Sequence, residues 1–598
     1  MNQTLLNGLE FFKHFKNGAE NVIKASEILN RINVFPVRDG DTGTNLSITL
    51  SSILNEAIVH PDLNLVVSSM SEVALENARG NSGIIFASFI EGFSEACHQL
   101  KEISPEQFVK AASHAVAVAY QSVRNPQEGT ILTVMRSWEK YLVTNCQPQV
   151  KFNEMLHEAY INAALTLEET QNMLQVLKKN KVVDSGAKGF VLFLEGFLNT
   201  KSDLDDTKEY AVEGLPHDLK VQLHDVPEDL NFRYCTEFML KEPLRELKAL
   251  DYLLDQFGDS LIITGNQRLT KIHVHTNAPD QITLKLNEHG HNIYKSKVED
   301  MWLQNKIETY QHPKIGILTD SICDISEALI DLYQIHLLPL ALIAGESTYL
   351  DKYTITSDML KPLLDASESY PSSSQVDIKL VKIKLEWMLR YYEKVVVLSV
   401  SKALSGTYEG YKKAIEALGE QSDRITLIDT KLNSGAQGLV VLKAAQLASE
   451  GKSLNKIVET ISRDIENAKI FVSMDTFKYA TRSGRVPYFA GKVLTALHAK
   501  PIMTLDEAGF GKAGGISFSR ASANQKIFKK LKQIANKSES IRYAIVHADN
   551  HNLAERFAQR IEEITGQKPE FMTSISAITA IHAGIGSVAV CIVSGGEL

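Results

Sequence analysis

The sequence predicts a multidomain protein in which an all-α domain is followed by two α/β domains. Up to about residue 200 the apolar side chains recur at helical spacing, as in the run from Val109 to Val118. From Phe232 short apolar runs bounded by turn residues appear, and beyond Lys314 such runs alternate with helix-like segments. With 598 residues, the chain is long enough for several domains that each bury a core.

The expected boundaries follow these changes in pattern. Residues 1–200 form the all-α domain, polar and acidic residues 201–230 a linker, residues 231–312 an α/β middle domain, and residues 313–598 a second α/β domain. The middle domain should contain strands at 260–264 and 271–276, which are separated by a Gly265-Asn266 turn. In the last domain, runs at 314–321, 394–400 and 425–429 predict a parallel sheet, and runs at 469–473, 543–547 and 587–593 predict a second sheet.

Composition narrows the class of protein. The chain is 44% hydrophobic and 23% charged. Its net charge of -9 and the lack of a long basic block in the sequence both argue against a nucleic-acid partner. No stretch approaches the run of about 18 apolar residues that would predict a transmembrane segment. The five cysteines are scattered along the chain, which predicts reduced thiols and a cytoplasmic location.

The turn from Asn33 to Asn45 has the composition of a site for a metal and a phosphate. Asp39 and Asp41 stand on either side of Gly40, and Thr42, Gly43, Thr44 and Asn45 lead into a helical pattern. Hard cations such as Mg²⁺ take carboxylate and phosphate oxygens, and a helix N-terminus favours an anion. The alternative is a surface turn with an Asx cap. The strings Ala78–Gly83 and Val183–Gly189 are similar small, polar turns that precede helical runs.

Cys235, His273 and His275 form a candidate metal set. The two histidines lie at i and i+2 of a predicted strand and therefore face the same side. Cysteine and histidine together suit Zn²⁺, although a fourth ligand is missing from the local sequence. The alternative is a buried cysteine beside two hydrogen-bonded strand histidines.

Small polar clusters follow strands or occupy turns in the C-terminal half, and hydroxyl, guanidinium and imidazole groups would suit a carboxylate ligand. Serine-rich turns also cap helices, which is the alternative for each cluster alone. The candidate carboxylate-binding residues are Ser373, Ser374, Ser405, Thr407, Arg485 and His582.

Residues 1–200 resemble the nucleotide-binding L domain (DhaL-type) shared by dihydroxyacetone kinases and bacterial fatty acid kinases. The resemblance rests on Phe35-Pro36-Val37 before the Asp-Gly-Asp, on Ala78–Gly83 and on the Glu128–Thr133 string, which together favour the fatty acid kinase branch. The Tyr234–Phe238 and His273–Thr276 strings resemble the fatty acid kinase middle domain, in which these positions hold zinc. Residues from about 314 onwards resemble the two-lobed DegV family of fatty-acid-binding proteins.

The resemblance implies a fatty acid kinase fused to its own fatty acid carrier. Such a kinase makes acyl phosphate and ADP from ATP and a fatty acid. It implies that Asp39 and Asp41 hold Mg²⁺ and that Arg485 and His582 steady the reacting carboxylate. The residues that it assigns to the nucleotide are Thr42, Gly43, Thr44, Asn45, Asn81, Ser82, Asp184, Ser185 and Gly186. A homodimer and an acyltransferase that consumes acyl phosphate at the membrane surface are the expected protein partners.

The sequence departs from these families at a few positions. Ser373, Ser483 and Ile585 replace the Thr, Gly and Pro that DegV proteins favour, and no aspartate at Asn33 or Val34 supplies the third metal ligand of dihydroxyacetone kinases. Three other functions stay open: a dihydroxyacetone-type small-molecule kinase, a lipid sensor with an inactive kinase domain, and a scaffold without activity. No segment resembles the sugar-binding domain that the first of these needs.

Overall fold

The computed structural model describes residues 5–35, 40–146, 152–198, 231–243, 247–309, 312–366, 370–483 and 499–595. The chain divides into two compact units. The first contains residues up to 278 together with 288–292 and 297–305. The second contains residues 279–287, 293–296 and the chain from 306 onwards.

The first unit begins with a helical region. Its helices are α1 (Gly8–Lys24), α2 (Ser26–Ile32), α3 (Thr42–Glu56), α4 (Leu63–Asn77), α5 (Gly80–Ala96), α6 (Pro105–Ser122), α7 (Ile131–Asn145), α8 (Phe152–Met173), α9 (Gln175–Asn180) and α10 (Ser185–Leu198). Two short strands, β1 (Leu6–Asn7) and β2 (Glu102–Ile103), pair antiparallel. Capping boxes start α1 at Asn7 and α6 at Ser104, so the sequence itself fixes where these helices begin.

An aromatic core holds the helical region together. Phe86 packs edge to face against Phe193, and Phe89 packs in the same way against Phe190. Gly18 lets α1 approach α10 closely, since a Cβ there would lie 2.8 Å from the Phe193 ring. Burial of these rings, rather than helix propensity, accounts for most of the stability of such a bundle.

The middle region contributes a sheet with the strand order β4-β5-β3-β6. Its elements are β3 (Tyr234–Lys241), α11 (Leu247–Leu254), β4 (Gly258–Gly265), β5 (Leu269–Thr276), α12 (Pro279–Glu288), β6 (Asn292–Asp300) and α13 (Met301–Thr309). Strands β3 and β4 both pair antiparallel with β5, which is buried along its whole length. Within the first unit, Ile262 of this sheet joins the hydrophobic core of the helical region.

The second unit contains a parallel sheet with the order β13-β12-β7-β8 and a three-stranded sheet with the order β10-β9-β11. The strands are β7 (Ile315–Asp320), β8 (His336–Leu338), β9 (Ala341–Ala344), β10 (Ser347–Leu350), β11 (Ser372–Ser373), β12 (Lys394–Ser399) and β13 (Ile425–Asp429). The helices of this part are α14 (Glu327–Tyr333), α15 (Leu360–Ala366), α16 (Ile378–Tyr391), α17 (Thr407–Glu416) and α18 (Ser434–Ser449).

A six-stranded sheet completes the second unit, in the order β16-β15-β14-β19-β17-β18. The strands are β14 (Ala468–Ser473), β15 (Lys500–Leu505), β16 (Gly511–Ser517), β17 (Ser540–His547), β18 (Phe571–Ser574) and β19 (Val588–Gly595). The helices are α19 (Leu454–Asn467), α20 (Lys478–Arg482), α21 (Arg520–Ala535), α22 (His551–Thr565) and α23 (Ala577–Ala583). Neighbouring strands run antiparallel except β17 and β18.

The predicted fold class is confirmed, because a helical region precedes two α/β regions. Two details differ from the sequence prediction. The helical region contains the short β1–β2 pair, and α3 already includes Thr42, Gly43, Thr44 and Asn45, which were expected to lead into the helix. The predicted linker 201–230 lies outside the described residues.

Candidate functional site

The Asp-Gly-Asp turn leads directly into α3. Asp41 is the N-cap residue of this helix, yet its side chain makes no capping hydrogen bond, and the helix starts with the Asn45 N–H donating to the Asp41 carbonyl at 2.8 Å. Asn30 fixes the turn from α2, because its Oδ1 accepts from the Thr44 N–H at 3.0 Å and its Nδ2 donates to Thr44 Oγ1 at 2.9 Å. Asp39 lies outside the described residues.

The second glycine-bearing turn, Ala78–Gly83, lies against the first, the Asp-Gly-Asp turn. Helix α5 starts at Gly80, whose φ of +58° suits glycine, and a Cβ there would collide with the side-chain amide of Asn45. Asn81 Oδ1 is buried and has no hydrogen-bond partner among the described residues. An unpartnered buried oxygen costs free energy, so this atom indicates a position where a donor is missing.

The third glycine-bearing turn, Val183–Gly189, contacts the second. Gly186 lies at the start of α10, and a Cβ there would be 2.7 Å from Ser82 Oγ. The neighbouring side chains hold the turn itself: Asp184 Oδ1 accepts from the Ala187 N–H at 2.7 Å, and Ser185 Oγ donates to the Leu29 carbonyl at 2.7 Å. Three glycine-bearing helix starts, predicted separately from the sequence, therefore converge at one place.

Burial changes the acidity of Asp184. Desolvation raises the pKa of its carboxyl to about 6, and hydrogen bonds from backbone N–H groups, that of Ala187 foremost, offset part of this rise. Backbone N–H groups of the protein therefore already hydrogen-bond to this carboxyl group. For the nucleotide, the third turn offers mainly the positive end of α10, because the side chains of Asp184 and Ser185 are engaged within the fold.

The candidate metal set lies on strands β3 and β5. Cys235 pairs with His275 across the ladder, and the ligand atoms of Cys235, His273 and His275 all lie within 4.8 Å of one another. Cys235 Sγ is 3.9 Å from His273 Nδ1. Among the described residues no fourth histidine, cysteine or carboxylate belongs to the group.

These three side chains fit a zinc ion. His273 is only 1% exposed, and its Nε2 is buried with no hydrogen-bond partner in the part of the chain that the structure describes. Asp259 Oδ1 lies 3.5 Å from His275 Nδ1, which is the outer carboxylate contact that metal-bound histidines commonly make. Without metal, burial raises the pKa of the Cys235 thiol and lowers that of His273, so a bound cation would relieve both desolvation penalties.

Two further residues lie beside this set, Glu237 and Lys271, which were not among the residues predicted from the sequence. Both are buried, with Oε2 of Glu237 3.1 Å from Nζ of Lys271, and Glu237 Oε1 accepts from the Gly80 N–H at 2.9 Å. Strand alternation is the signal that could have found them, because Glu237 lies two residues after Cys235 and Lys271 two residues before His273. The strand face that carries the candidate metal set is therefore hydrogen-bonded to the second turn.

In the second unit, neighbours of several predicted carboxylate-binding residues contact one another. Gly406 lies against the Gln375 side chain, since a Cβ added at Gly406 would be 2.6 Å from Nε2, so the segment after Ser374 reaches the turn of Ser405. Ser405 Oγ and Thr407 Oγ1 are 2.8 Å apart. Tyr370, which precedes the Ser373 strand, donates from its hydroxyl to the carbonyl of Ile581 at 2.6 Å, next to His582.

Two of the predicted loop positions are corrected by the structure. Ser373 belongs to strand β11, which pairs with β9, and His582 belongs to helix α23. The Ser-rich and Gly-rich neighbours of these residues predict loops, but pairing with β9 and the cap at Ser576 impose regular structure on both. Arg485 lies outside the described residues.

Buried carboxylates hold the start of the helix that carries His582. Asp324 Oδ1 accepts from the Ser576 N–H, and Asp351 Oδ1 accepts from the Ala577 N–H, both at 2.8 Å. Lys352 Nζ lies 3.1 Å from Asp324 Oδ1 and balances part of this charge. Burial raises the pKa of Asp351 to about 7. The acidic pair thus complements the positive end of α23 and fixes its direction.

Three family models match successive parts of the chain. Residues 36–199 match the DAK2 domain, residues 231–308 match the FakA-like middle domain of fatty acid kinase, and residues 314–595 match the DegV family of uncharacterised proteins. Within the described residues, no helix combines the length and apolar character needed to cross a bilayer.

Curated relatives include an uncharacterized protein of Staphylococcus haemolyticus, 34% identical over 315 residues, and protein YloV of Bacillus subtilis, 32% identical over 308 residues. Each alignment covers 50% of this chain and 56% of the relative, so the chain spans little more than half of their length.

Two similar solved structures are a fatty-acid-binding DegV family protein from Thermus thermophilus (24% identity) and DegV, a fatty acid binding protein from Bacillus subtilis (23% identity). Both have a TM-score of 0.43 and cover 47% of this chain, with 99% and 100% of their own chains. The family matches confirm the predicted resemblance: the chain combines a DAK2 domain, a FakA-like middle domain of fatty acid kinase and a DegV-family domain in one polypeptide.

Proposed function

We propose that the protein is an ATP-dependent fatty acid kinase that forms acyl phosphate from a fatty acid held by its own DegV-family half. The observation that carries the proposal is the convergence of three helix starts, where Asn45 lies against Gly80 and Ser82 lies against Gly186. Helix N-termini present backbone N–H groups and a positive dipole end, which suits the phosphates of a nucleotide. The matched kinase-type and DegV-type domains make a fatty acid the natural acceptor.

In this function, residues 42–45, 81–82 and 184–186 bind the nucleotide. Asp39 and Asp41 would hold Mg²⁺, which supplies charge neutralisation at the β- and γ-phosphates. Asp41 suits that role because its carboxylate does not cap its own helix. Asn81 Oδ1, which is buried and has no hydrogen-bond partner within the described ranges, would accept a hydrogen bond from the bound nucleotide.

No side-chain nucleophile is needed, because the substrate carboxylate attacks. An oxygen of the fatty acid forms a bond to the γ-phosphorus while the bond from that phosphorus to the β,γ-bridging oxygen breaks, and ADP leaves with the electron pair. Hydroxyl groups of Ser373, Ser374, Ser405 and Thr407 would donate to the acyl carboxylate. Arg485 and His582 would balance its charge and orient it.

The direct test is phosphoryl transfer by the full chain. ADP release from Mg²⁺ and ATP should depend on added palmitate or oleate, and hydroxylamine should trap the acyl phosphate as a hydroxamate. Dihydroxyacetone should not replace the fatty acid. Turnover with dihydroxyacetone alone, or no turnover with any fatty acid, would contradict the proposal.

Lipid retention provides an independent prediction. His582→Ala and Ser405→Ala should each lower the amount of fatty acid that co-purifies with the full chain, because each removes a polar contact to a carboxylate worth about 1.5–3 kcal/mol, or about tenfold or more in affinity. Mass spectrometry of extracted lipid measures this. His551→Ala, an exposed change on α22, is the matched control and should retain lipid as the parent does. Equal retention in all variants would remove these residues from the carboxylate site.

A further inference from the structure

A buried ion pair joins the middle domain to the second turn of the helical region. Glu237 on β3 and Lys271 on β5 are 4% and 5% exposed, and Lys271 Nζ lies 3.1 Å from Glu237 Oε2. Burying two charges is costly unless every remaining donor and acceptor is bonded, and apolar residues of similar size often serve stability equally well. The other contacts of the pair therefore matter for its role.

Both members of the pair bond to the backbone around Arg79. Glu237 Oε1 accepts from the Gly80 N–H at 2.9 Å, and the Lys271 ammonium donates to the Ala78 carbonyl. Arg79 is the N-cap of α5 but makes no side-chain capping hydrogen bond. A carboxylate 157 residues away along the chain thus bonds to one of the N–H groups that a helix start leaves without an intrahelical partner.

The charge of Glu237 suits its position at the start of helix α5. The Glu237 carboxylate is buried beside the Lys271 ammonium, with 3.1 Å between Oε2 and Nζ, so the acceptor at this turn belongs to an ion pair. A carboxylate at a helix N-terminus is favoured by the helix dipole. The contact lies at Gly80, which itself packs against Asn45 of the first turn, so a displacement here would reach both turns.

We infer that Glu237 and Lys271 are positioning residues for the nucleotide, and that the middle domain thereby completes the nucleotide site of the helical region. They fix the 78–80 backbone so that Asn81 and Ser82 stay aimed at the phosphates. The inference rests on the proposed function for the identity of the ligand. Its basis is the two hydrogen bonds that Glu237 and Lys271 make to the turn, at Gly80 and Ala78.

The test compares nucleotide binding by full-length variants. Glu237→Ala removes the acceptor and the charge, Glu237→Gln keeps an acceptor for Gly80, and Lys271→Met removes the donor to Ala78. A fluorescent ATP analogue gives the dissociation constant, and ADP release gives KM for ATP and kcat. We expect Glu237→Ala and Lys271→Met to raise both the dissociation constant and KM at least about tenfold, with kcat at saturating ATP changing less. Glu237→Gln should recover part of the loss.

The control lies on the same two regions. Arg268 Nη1 is 2.6 Å from Glu72 Oε1, but this pair is exposed, so Arg268→Met should leave nucleotide binding unchanged. Zinc content is measured for every variant, because Glu237 Oε1 lies 3.8 Å from His273 Nδ1. Loss of nucleotide binding that occurs only together with loss of zinc would assign the effect to the metal set and overturn the inference.

The outcomes separate this inference from the proposed function. If the parent binds the ATP analogue and the Glu237 and Lys271 variants bind it equally well, the inference is wrong and the kinase proposal is untouched. If the parent binds the analogue and the variants bind it weakly, the inference holds even where ADP release proves independent of fatty acid. A parent that binds no nucleotide contradicts both.

Discussion

Asp41→Ala is expected to abolish fatty-acid-dependent ADP release while the protein stays folded. A Mg²⁺ ligand contributes several kcal/mol of charge stabilisation to a transferring phosphoryl group, so the rate should fall about a thousandfold or more. The fold should tolerate the change because the Asp41 side chain makes no capping hydrogen bond to α3, and its carbonyl, which alanine retains, starts the helix. Initial rates with saturating ATP and oleate measure the effect.

The control for Asp41→Ala is Glu56→Ala, an exposed carboxylate at the other end of the same helix. It removes the same charge from α3 without touching the turn, so its rate and its melting temperature should match those of the parent. Asp39→Ala should behave as Asp41→Ala does. An Asp41→Ala variant that turns over at the parent's rate would exclude this carboxylate from the metal site.

Local pattern makes some of these features predictable. The period of two along β5 places His273 and His275 on one side, and alternating strand and helix patterns predict the parallel sheet of β7, β12 and β13. Glycines mark the turns before α3, α5 and α10 for local reasons: Gly40 and Gly80 have positive φ, and Gly186 lies close to Ser82.

Contacts between distant segments could not be read from the sequence. The approach of Asn45 to Gly80 depends on how α3 packs against α5, and the bond from Glu237 to Gly80 joins segments 157 residues apart. Ser373 lies in a strand only because β9 offers an edge to pair with, and His582 lies in a helix that Ser576 caps. Such features follow from tertiary packing, which overrides the local signals of serine and glycine.

Loss of zinc is the second large effect that we expect. The parent, prepared without chelator, should contain about one zinc per chain, and Cys235→Ser and His273→Ala should each contain almost none. Cysteine binds zinc as the thiolate, and a structural metal contributes its binding free energy to folding, about 10–16 kcal/mol in small zinc domains. Both variants should therefore lose metal and unfold at a lower temperature than the parent. Elemental analysis and thermal unfolding measure the two effects.

Matched controls separate the metal set from a general effect of losing a thiol or an imidazole. Cys146→Ser, at the end of α7, and His98→Ala, an exposed change after α5, should keep the zinc and the melting temperature of the parent. Asp259→Asn should give an intermediate result, because losing the carboxylate beside His275 commonly weakens zinc binding by about 10–100-fold without removing a ligand. A parent without zinc, or a His273→Ala variant that retains it, would leave these three side chains as a buried cysteine and two strand histidines.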